Sequence, residues 1–283
     1  MLLSRTWEIL VAKSFHKPIV MFPNSVGPFR TFVGRWLGRL SLDGCSRVLI
    51  RDAISYEITE KLGVTSPRIL TYDTALLLTS KTDTDIPRFR KPVVGVCPGM
   101  YSNSLSSNEL SNYVLAHSRA LDKSIEEYGL SVIFLPHYVS GFRLDDLEIC
   151  RMIRENMKHK NRAQIVEARN VDEFKSLLDQ MDMIISSKMH PAVLGASGFV
   201  PIVCIVYDHK QTGFFARLKM AECTIEIRSL SYENMLKKIE YVWNNRSRLS
   251  GSLQNTIPLW QEHVRASIRQ AMTQYVKTKQ DPS

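Results

Sequence analysis

At 283 residues the chain can hold one large domain or two of ordinary size, and 44% hydrophobic with 23% charged residues excludes a disordered or fibrous chain. A formal charge of +9 is compatible with nucleic acid, a membrane surface or an acidic small substrate as partner. No dense Lys/Arg block with interleaved aromatics appears, so no nucleic-acid partner is expected.

In chain order, residues 1–15 read as a helix, ended by His16-Lys17-Pro18. Ile19 to Phe22 reads as a strand. The turn-rich loop Pro23-Asn24-Ser25-Val26-Gly27-Pro28-Phe29 follows at its carboxyl end. Ser25 is a candidate substrate contact there, and Gly27 permits close backbone approach, although an ordinary strand–helix turn accounts for the loop equally well. Residues 30–42 form a basic amphipathic helix with Arg30, Arg35 and Arg39.

The next strand, Arg47 to Ile50, ends in Arg51-Asp52. Arg51 can clamp a phosphate or carboxylate. Asp52 can hold Arg51 or cap the helix 55–62, which Gly63 terminates. A short strand 68–70 precedes Tyr72-Asp73-Thr74-Ala75. Residues 79–91 lose periodicity and read as a linker.

An α/β rhythm restarts at strand 93–97, followed by Pro98-Gly99. Helices are expected over 107–128, 145–157 and 171–180, with strands 131–135 and 164–166 between them. His137 ends the strand 131–135 and can face a ligand, cap a helix or bind backbone. Strands 182–185 and 201–206 flank a small-residue helix, 190–198. A strand at 224–227 and helices near 231–246 and 257–276 complete the chain. The last helix carries Trp260, Val264, Ile268, Met272 and Tyr275 on one face.

The stretch 183–214 carries the most chemistry. Lys188 and His190 follow one buried strand, and Tyr207, Asp208 and Lys210 follow the next. Polar residues at the carboxyl ends of parallel strands face the ligand crevice, so Lys188, His190 and Lys210 are expected at a helix start that favours an anion. Each alone would read as a solvated surface residue.

The cysteines Cys45, Cys97, Cys150, Cys204 and Cys223 are widely spaced, with no C-x-x-C pair or Cys/His cluster, so no metal is expected. Their scattered, odd number suits a reducing cytosol, and Cys97 and Cys204 read as buried small hydrophobes. No apolar run reaches about 18 residues and no signal-peptide pattern opens the chain, so a cytoplasmic protein is expected.

The fold class is α/β, with two Rossmann-like doubly wound domains. The expected boundaries are a partial first domain over 1–80, a second domain over 92–250, and a C-terminal helix and tail over 251–283. Three strands make only half of such a first domain, so an exposed sheet edge or apolar face is expected on it.

In this order and spacing the motifs resemble the polysaccharide pyruvyl transferase family. The resemblance rests on the Pro23–Phe29 loop, Arg51-Asp52-x-x-Ser55, Tyr72 to Leu78, Leu135-Pro136-His137 and Asp145-Asp146. It continues through Ser187-Lys188-Met189-His190 and Tyr207-Asp208-x-Lys210-x-x-Gly213-Phe214. It implies a GT-B-like architecture with the site between domains. It also implies transfer of the enolpyruvyl unit of phosphoenolpyruvate to a sugar, or to a lipid-linked oligosaccharide, as a pyruvate ketal. His190 matches the family's acid. Arg51, Lys188 and Lys210 match its donor-binding cations. Phosphoenolpyruvate is then the donor substrate, with no cofactor, and peripheral association with the inner face of the membrane is compatible with such an acceptor.

This sequence departs from the family pattern twice. Lys188 stands where the family has Arg, which keeps the charge and loses the planar fork. The family also opens with another strand–helix–strand carrying a Gly-Asp motif, so the chain starts inside that domain. Two other readings stay open: a nucleotide-sugar glycosyltransferase of the same architecture, with Glu167 as candidate ribose ligand, and a non-catalytic remnant.

Overall fold

The computed structural model describes residues 2–80, 86–99, 106–139 and 145–277. Within the expected linker, 81–85 lie outside the described residues. The chain forms two compact units, Met1–Thr74 with Pro258–Ser283, and Ala75–Ile257.

The first unit holds helix α1 (Leu2–Ser14), strand β1 (Val20–Asn24), α2 (Phe32–Asp43), β2 (Arg47–Ile50), α3 (Ala53–Lys61) and β3 (Arg68–Leu70). The three strands form a parallel sheet in the order β1-β2-β3. Val26, Leu42, Cys45, Val48, Ile50 and Val64 are the buried heart of this unit. Thr31 caps α2 and Asp52 caps α3, each accepting a hydrogen bond from a backbone N–H of the first turn. Gly63 follows α3 at φ +66°, a conformation that favours glycine. Trp7, Phe32 and Trp36 are 68%, 78% and 58% exposed, so α1 and α2 turn apolar residues to solvent.

The second unit is a doubly wound domain. Its strands are β4 (Val93–Cys97), β5 (Ser131–Phe134), β6 (Ala163–Ile165), β7 (Met183–Ser186), β8 (Ile202–Val206) and β9 (Thr224–Glu226). They form one parallel sheet in the order β6-β5-β4-β7-β8-β9. Numbered within the unit this is 3-2-1-4-5-6, and the direction of winding reverses between β4 and β7. Strands β4, β7 and β8 are buried along their whole length, which explains why they read as continuous apolar runs.

Helices α4 (Ser107–Tyr128), α5 (Asp146–Glu155), α6 (Val171–Leu178), α7 (Met189–Ser197), α8 (His209–Arg217) and α9 (Tyr232–Asn244) cross between or flank these strands. A capping box of Ser106 and Glu109 starts α4, and Gly129 at φ 65° ends it. Asp145, Asn170, Asp208 and Ser231 cap α5, α6, α8 and α9. Helix α7 differs: Lys188 is its N-cap residue and makes no side-chain cap hydrogen bond.

The end of the chain departs from the expected elements. One helix, α10, runs from Arg246 to Lys277 and carries Pro258 inside it. Proline there removes one backbone donor, and the helix runs on past it. The buried stripe is Leu253, Ile257, Trp260, Val264, Ser267 and Ala271. Met272, expected on that face, is 45% exposed, because alternating steps of four and three select Ala271 instead. Within the first unit Trp260 stacks on Tyr72 at 4.1 Å, and His263 Nε2 lies 3.2 Å from the Leu70 carbonyl. Among the described residues no helix is long and apolar enough to cross a membrane.

Candidate active site

The second unit gathers polar groups where its winding reverses. Gly99 follows β4, His137 follows β5, and Ser187 and Lys188 follow β7. His137 and His190 face each other with ring centroids 6.1 Å apart and planes inclined by 21°. Phe174 of α6 also meets the His137 ring, with centroids 5.6 Å apart and planes inclined by 64°.

The Lys188 ammonium lies 3.0 Å from Asp146 Oδ1. Asp146 is 2% exposed, and its other oxygen accepts the Tyr138 N–H at 2.9 Å. Its own N–H donates to the Tyr138 carbonyl at 3.1 Å. Asp145 caps α5, leaving the Asp146 carboxylate free for these contacts. Gly99 is a close approach: a Cβ there would stand 1.8 Å from Lys188 Cε and 2.9 Å from Asp146 Oδ1.

A second layer supports the Lys188 segment. The Tyr113 and Ser187 hydroxyls share a 2.5 Å hydrogen bond, and the Gly99 N–H donates to Tyr113 Oη at 3.3 Å. Tyr113 therefore ties the loop after β4 to the loop after β7. Gln211 ties β7 to β8: its Nε2 donates to the Ser187 carbonyl at 3.1 Å, and its Oε1 accepts the Tyr207 N–H at 3.0 Å. Tyr113, Ser187 and Gln211 are all buried, so these hydrogen bonds are made away from water, where leaving one unmade is costly.

The electrostatics follow from this grouping. Burial lowers the His137 pKa below its ordinary value. The charges of His190 and Lys188 push the same way, and the Asp146 carboxylate opposes them. His137 keeps an exposed edge, so solvent screens part of the shift. Burial raises the Cys97 and Cys150 thiols, which makes them poor nucleophiles.

Of the candidates read from sequence, His137, Lys188 and His190 thus come together. Lys210 stands in the first turn of α8, its ammonium 3.8 Å from Asp208 Oδ2. His209 Nδ1 lies 2.7 Å from the other Asp208 oxygen. Gln211, the next residue along, joins this helix to Ser187. Arg51 and Ser25 lie in the first unit. Arg51 Nε donates to Ser25 Oγ at 2.9 Å, and its Nη1 is paired with Asp73. Asp52 does not hold Arg51: it accepts hydrogen bonds from the Ser55 N–H and hydroxyl, both at 2.7 Å. Ser55 Oγ in turn accepts the Val26 N–H at 2.8 Å, so the loop after β1 is pinned to α3. Glu167 is exposed.

Sequence reading did not single out Asp146, Gly99, Tyr113 or Gln211 as site residues. Asp146 had two signals, a second acid beside the helix cap and its place in the Asp145-Asp146 motif of the resemblance. Tyr113 and Gln211 sit inside helices and had none. Among the described residues no three His, Cys, Asp or Glu side chains are placed to hold a metal.

The fold is that of a doubly wound α/β domain with a cationic group at its switch point, joined in sequence to a second parallel α/β unit. Solved structures share it. The putative UDP-N-acetylglucosamine 2-epimerase of Listeria monocytogenes superposes with a TM-score of 0.69 at 12% identity, covering 95% of this chain and 71% of that one. Anabaena Alr3699/HepE, in complex with UDP-glucose, gives 0.63 at 13% identity, covering 98% and 77%. These likenesses concern fold alone, and both neighbours have the GT-B-like architecture. The sequence pattern of the polysaccharide pyruvyl transferase family matches residues 2–209, and the chain belongs to that family. The amylovoran biosynthesis protein AmsJ of Erwinia amylovora is 22% identical over 248 residues. That match covers 81% of this chain and 59% of AmsJ, so the chain spans less than two thirds of this relative's length.

Proposed function

We propose that the protein transfers the enolpyruvyl unit of phosphoenolpyruvate to a sugar of a cell-surface polysaccharide, or of its lipid-linked precursor, and closes it as a pyruvate ketal. The observation that carries this reading is the meeting of Lys188, His190 and His137 at the switch point, beside helix α7, whose N-cap residue makes no side-chain cap hydrogen bond. Phosphoenolpyruvate brings a phosphate and a carboxylate. An ammonium and a helix N-terminus match both groups. Lys210, in the first turn of the next helix, is the further cation assigned to the donor.

His190 is the proton donor in this reading. It gives a proton to the methylene carbon of the donor. The carbon next to it becomes electron-poor, stabilised by its ester oxygen, and one acceptor hydroxyl attacks it. A second hydroxyl of the same sugar then displaces the phosphate, whose carbon–oxygen bond breaks with the electron pair leaving on oxygen. Of the two hydroxyl protons, one restores His190 and the other leaves with phosphate. No cofactor beyond the donor enters the reaction so written. A lipid-linked acceptor would bring the protein to the inner face of the membrane.

The nucleotide-sugar reading has one observation in its favour, the UDP-glucose held by the Anabaena neighbour. Calorimetry with phosphoenolpyruvate and with UDP-glucose separates the two. Binding of phosphoenolpyruvate, with acceptor-dependent release of inorganic phosphate, is the expected result. Binding of UDP-glucose alone would overturn the reading, and binding of neither would favour a non-catalytic role.

A further inference from the structure

We propose that Asp146 is a positioning residue for Lys188, a buried carboxylate that turns a flexible lysine into a fixed cation beside His137 and His190. The inference rests on the donor-binding role proposed above for Lys188. A lysine ammonium sits on a four-carbon stem with free rotation and lacks the pre-set fork of arginine. Something else must hold it in place, and three features of this structure do so.

The first is the 3.0 Å contact to Asp146 Oδ1. The second is the bare backbone of Gly99, over which the lysine stem lies so closely that a Cβ would stand 1.8 Å from Cε and 2.8 Å from Cδ. The third is Ser186, whose hydroxyl accepts the Lys188 N–H at 3.0 Å and donates to the Lys188 carbonyl at 2.9 Å. Backbone, stem and ammonium are each held by a different partner.

Asp146 does more than neutralise. Its two oxygens serve two arms of the site, Lys188 through one and the Tyr138 N–H, next to His137, through the other. The return hydrogen bond from Asp146 N–H to the Tyr138 carbonyl closes this clasp. The carboxylate therefore fixes Lys188 relative to the loop that carries His137. It belongs to the first turn of α5, so the helix start holds its backbone in place.

Positioning and simple charge balance predict opposite results. The negative charge of Asp146 repels an incoming anion, so on charge alone Asp146→Asn should tighten donor binding. If Asp146 positions the lysine, Asp146→Asn should weaken it, because the ammonium is released to solvent. Gly99→Ala probes the same contact from the other side: the added methyl displaces the stem while Asp146 keeps its charge. Gly99 lacks a positive φ, so alanine is allowed there and the flexible stem is the part that yields.

The experiment is calorimetry of phosphoenolpyruvate on wild type, D146N and G99A, with thermal unfolding of each. Alongside it, amine acetylation is mapped by mass spectrometry, with Lys210 as internal reference. Both variants should bind phosphoenolpyruvate about ten- to a hundredfold more weakly, the range for one charge-assisted contact. Acetylation of Lys188 relative to Lys210 should rise about tenfold in D146N, since the amine loses the 3.0 Å contact that holds it against Asp146 and becomes accessible to the reagent. Equal or tighter binding in D146N, or an unchanged Lys188 labelling ratio, would overturn the inference. If D146N unfolds, G99A decides by the same binding criterion. Should wild type fail to bind phosphoenolpyruvate while the labelling ratio still rises, the donor assignment falls and the Asp146–Lys188 relation stands.

Discussion

Lys188 and Asp146 meet at 3.0 Å although 41 intervening positions separate them in sequence, and the fold alone makes them neighbours. Lys188 follows β7, on one side of the switch point, and Asp146 opens α5 after β5, on the other. The pair therefore spans the crevice that this topology creates. Its desolvated carboxylate has a stake in the lysine: truncating Lys188 leaves a buried anion uncompensated.

His190→Ala should lower turnover by about two to four orders of magnitude, the contribution of a positioned general acid. Donor affinity should change little, because Lys188 and the α7 N-terminus remain. Steady-state turnover and calorimetry together check this. Wild-type turnover in the variant would remove His190 from the proton-transfer step.

Lys210→Ala should weaken phosphoenolpyruvate binding by about 2–3 kcal/mol, the range for a charge-assisted hydrogen bond. Lys210→Arg should restore only part of it, since the planar guanidinium needs different room. The ammonium leans on Asp208 at 3.8 Å, a loose contact that an incoming anion can replace. Unchanged affinity in Lys210→Ala would place the residue outside the donor site.

His117 makes the second unit sensitive to acid. The residue is fully buried in α4, and its Nδ1 hydrogen-bonds the Tyr113 carbonyl at 2.7 Å while Nε2 has no partner among the described residues. Burial lowers its pKa from 6.5 to about 4, partly opposed by the hydrogen bond to Tyr113. The unfolded chain takes up a proton below 6.5, whereas the folded protein takes it up only near 4. The contribution to stability is therefore full above pH 6.5 and is lost as pH falls toward 4, on the order of 3 kcal/mol. Denaturation curves across that window should fall less steeply with acid for His117→Gln than for wild type. Parallel curves would refute the assignment.

Lys175 is 1% exposed and is paired with Asp179 one turn along α6. Asp179→Ala strands a buried ammonium and should cost about 3 kcal/mol. Lys175→Met removes the charge, keeps most of the volume, and should cost less. Chemical denaturation of both variants tests the order. A larger loss for Lys175→Met would show that the ammonium contributes more than its burial costs.

The sequence by itself was enough for the alternation of strands and helices, because buried parallel strands such as Ile202–Val206 are unbroken apolar runs. It was also enough to put Lys188 and His190 at a strand end before a small-residue helix, and for the likeness of the motifs to one family. Periodicity placed Met272 in the core where Ala271 is buried, since one residue of helical phase is within the error of a pattern. Only the tertiary structure decided the partners. Arg51 pairs with Asp73 and Ser25 rather than with adjacent Asp52, because the short carboxylate of Asp52 turns back onto its own helix end. Asp146, Gly99, Tyr113 and Gln211 are drawn together from separate βα connections. Parallel strands bring the ends of distant segments side by side, and no local spacing in the chain encodes which ends will meet.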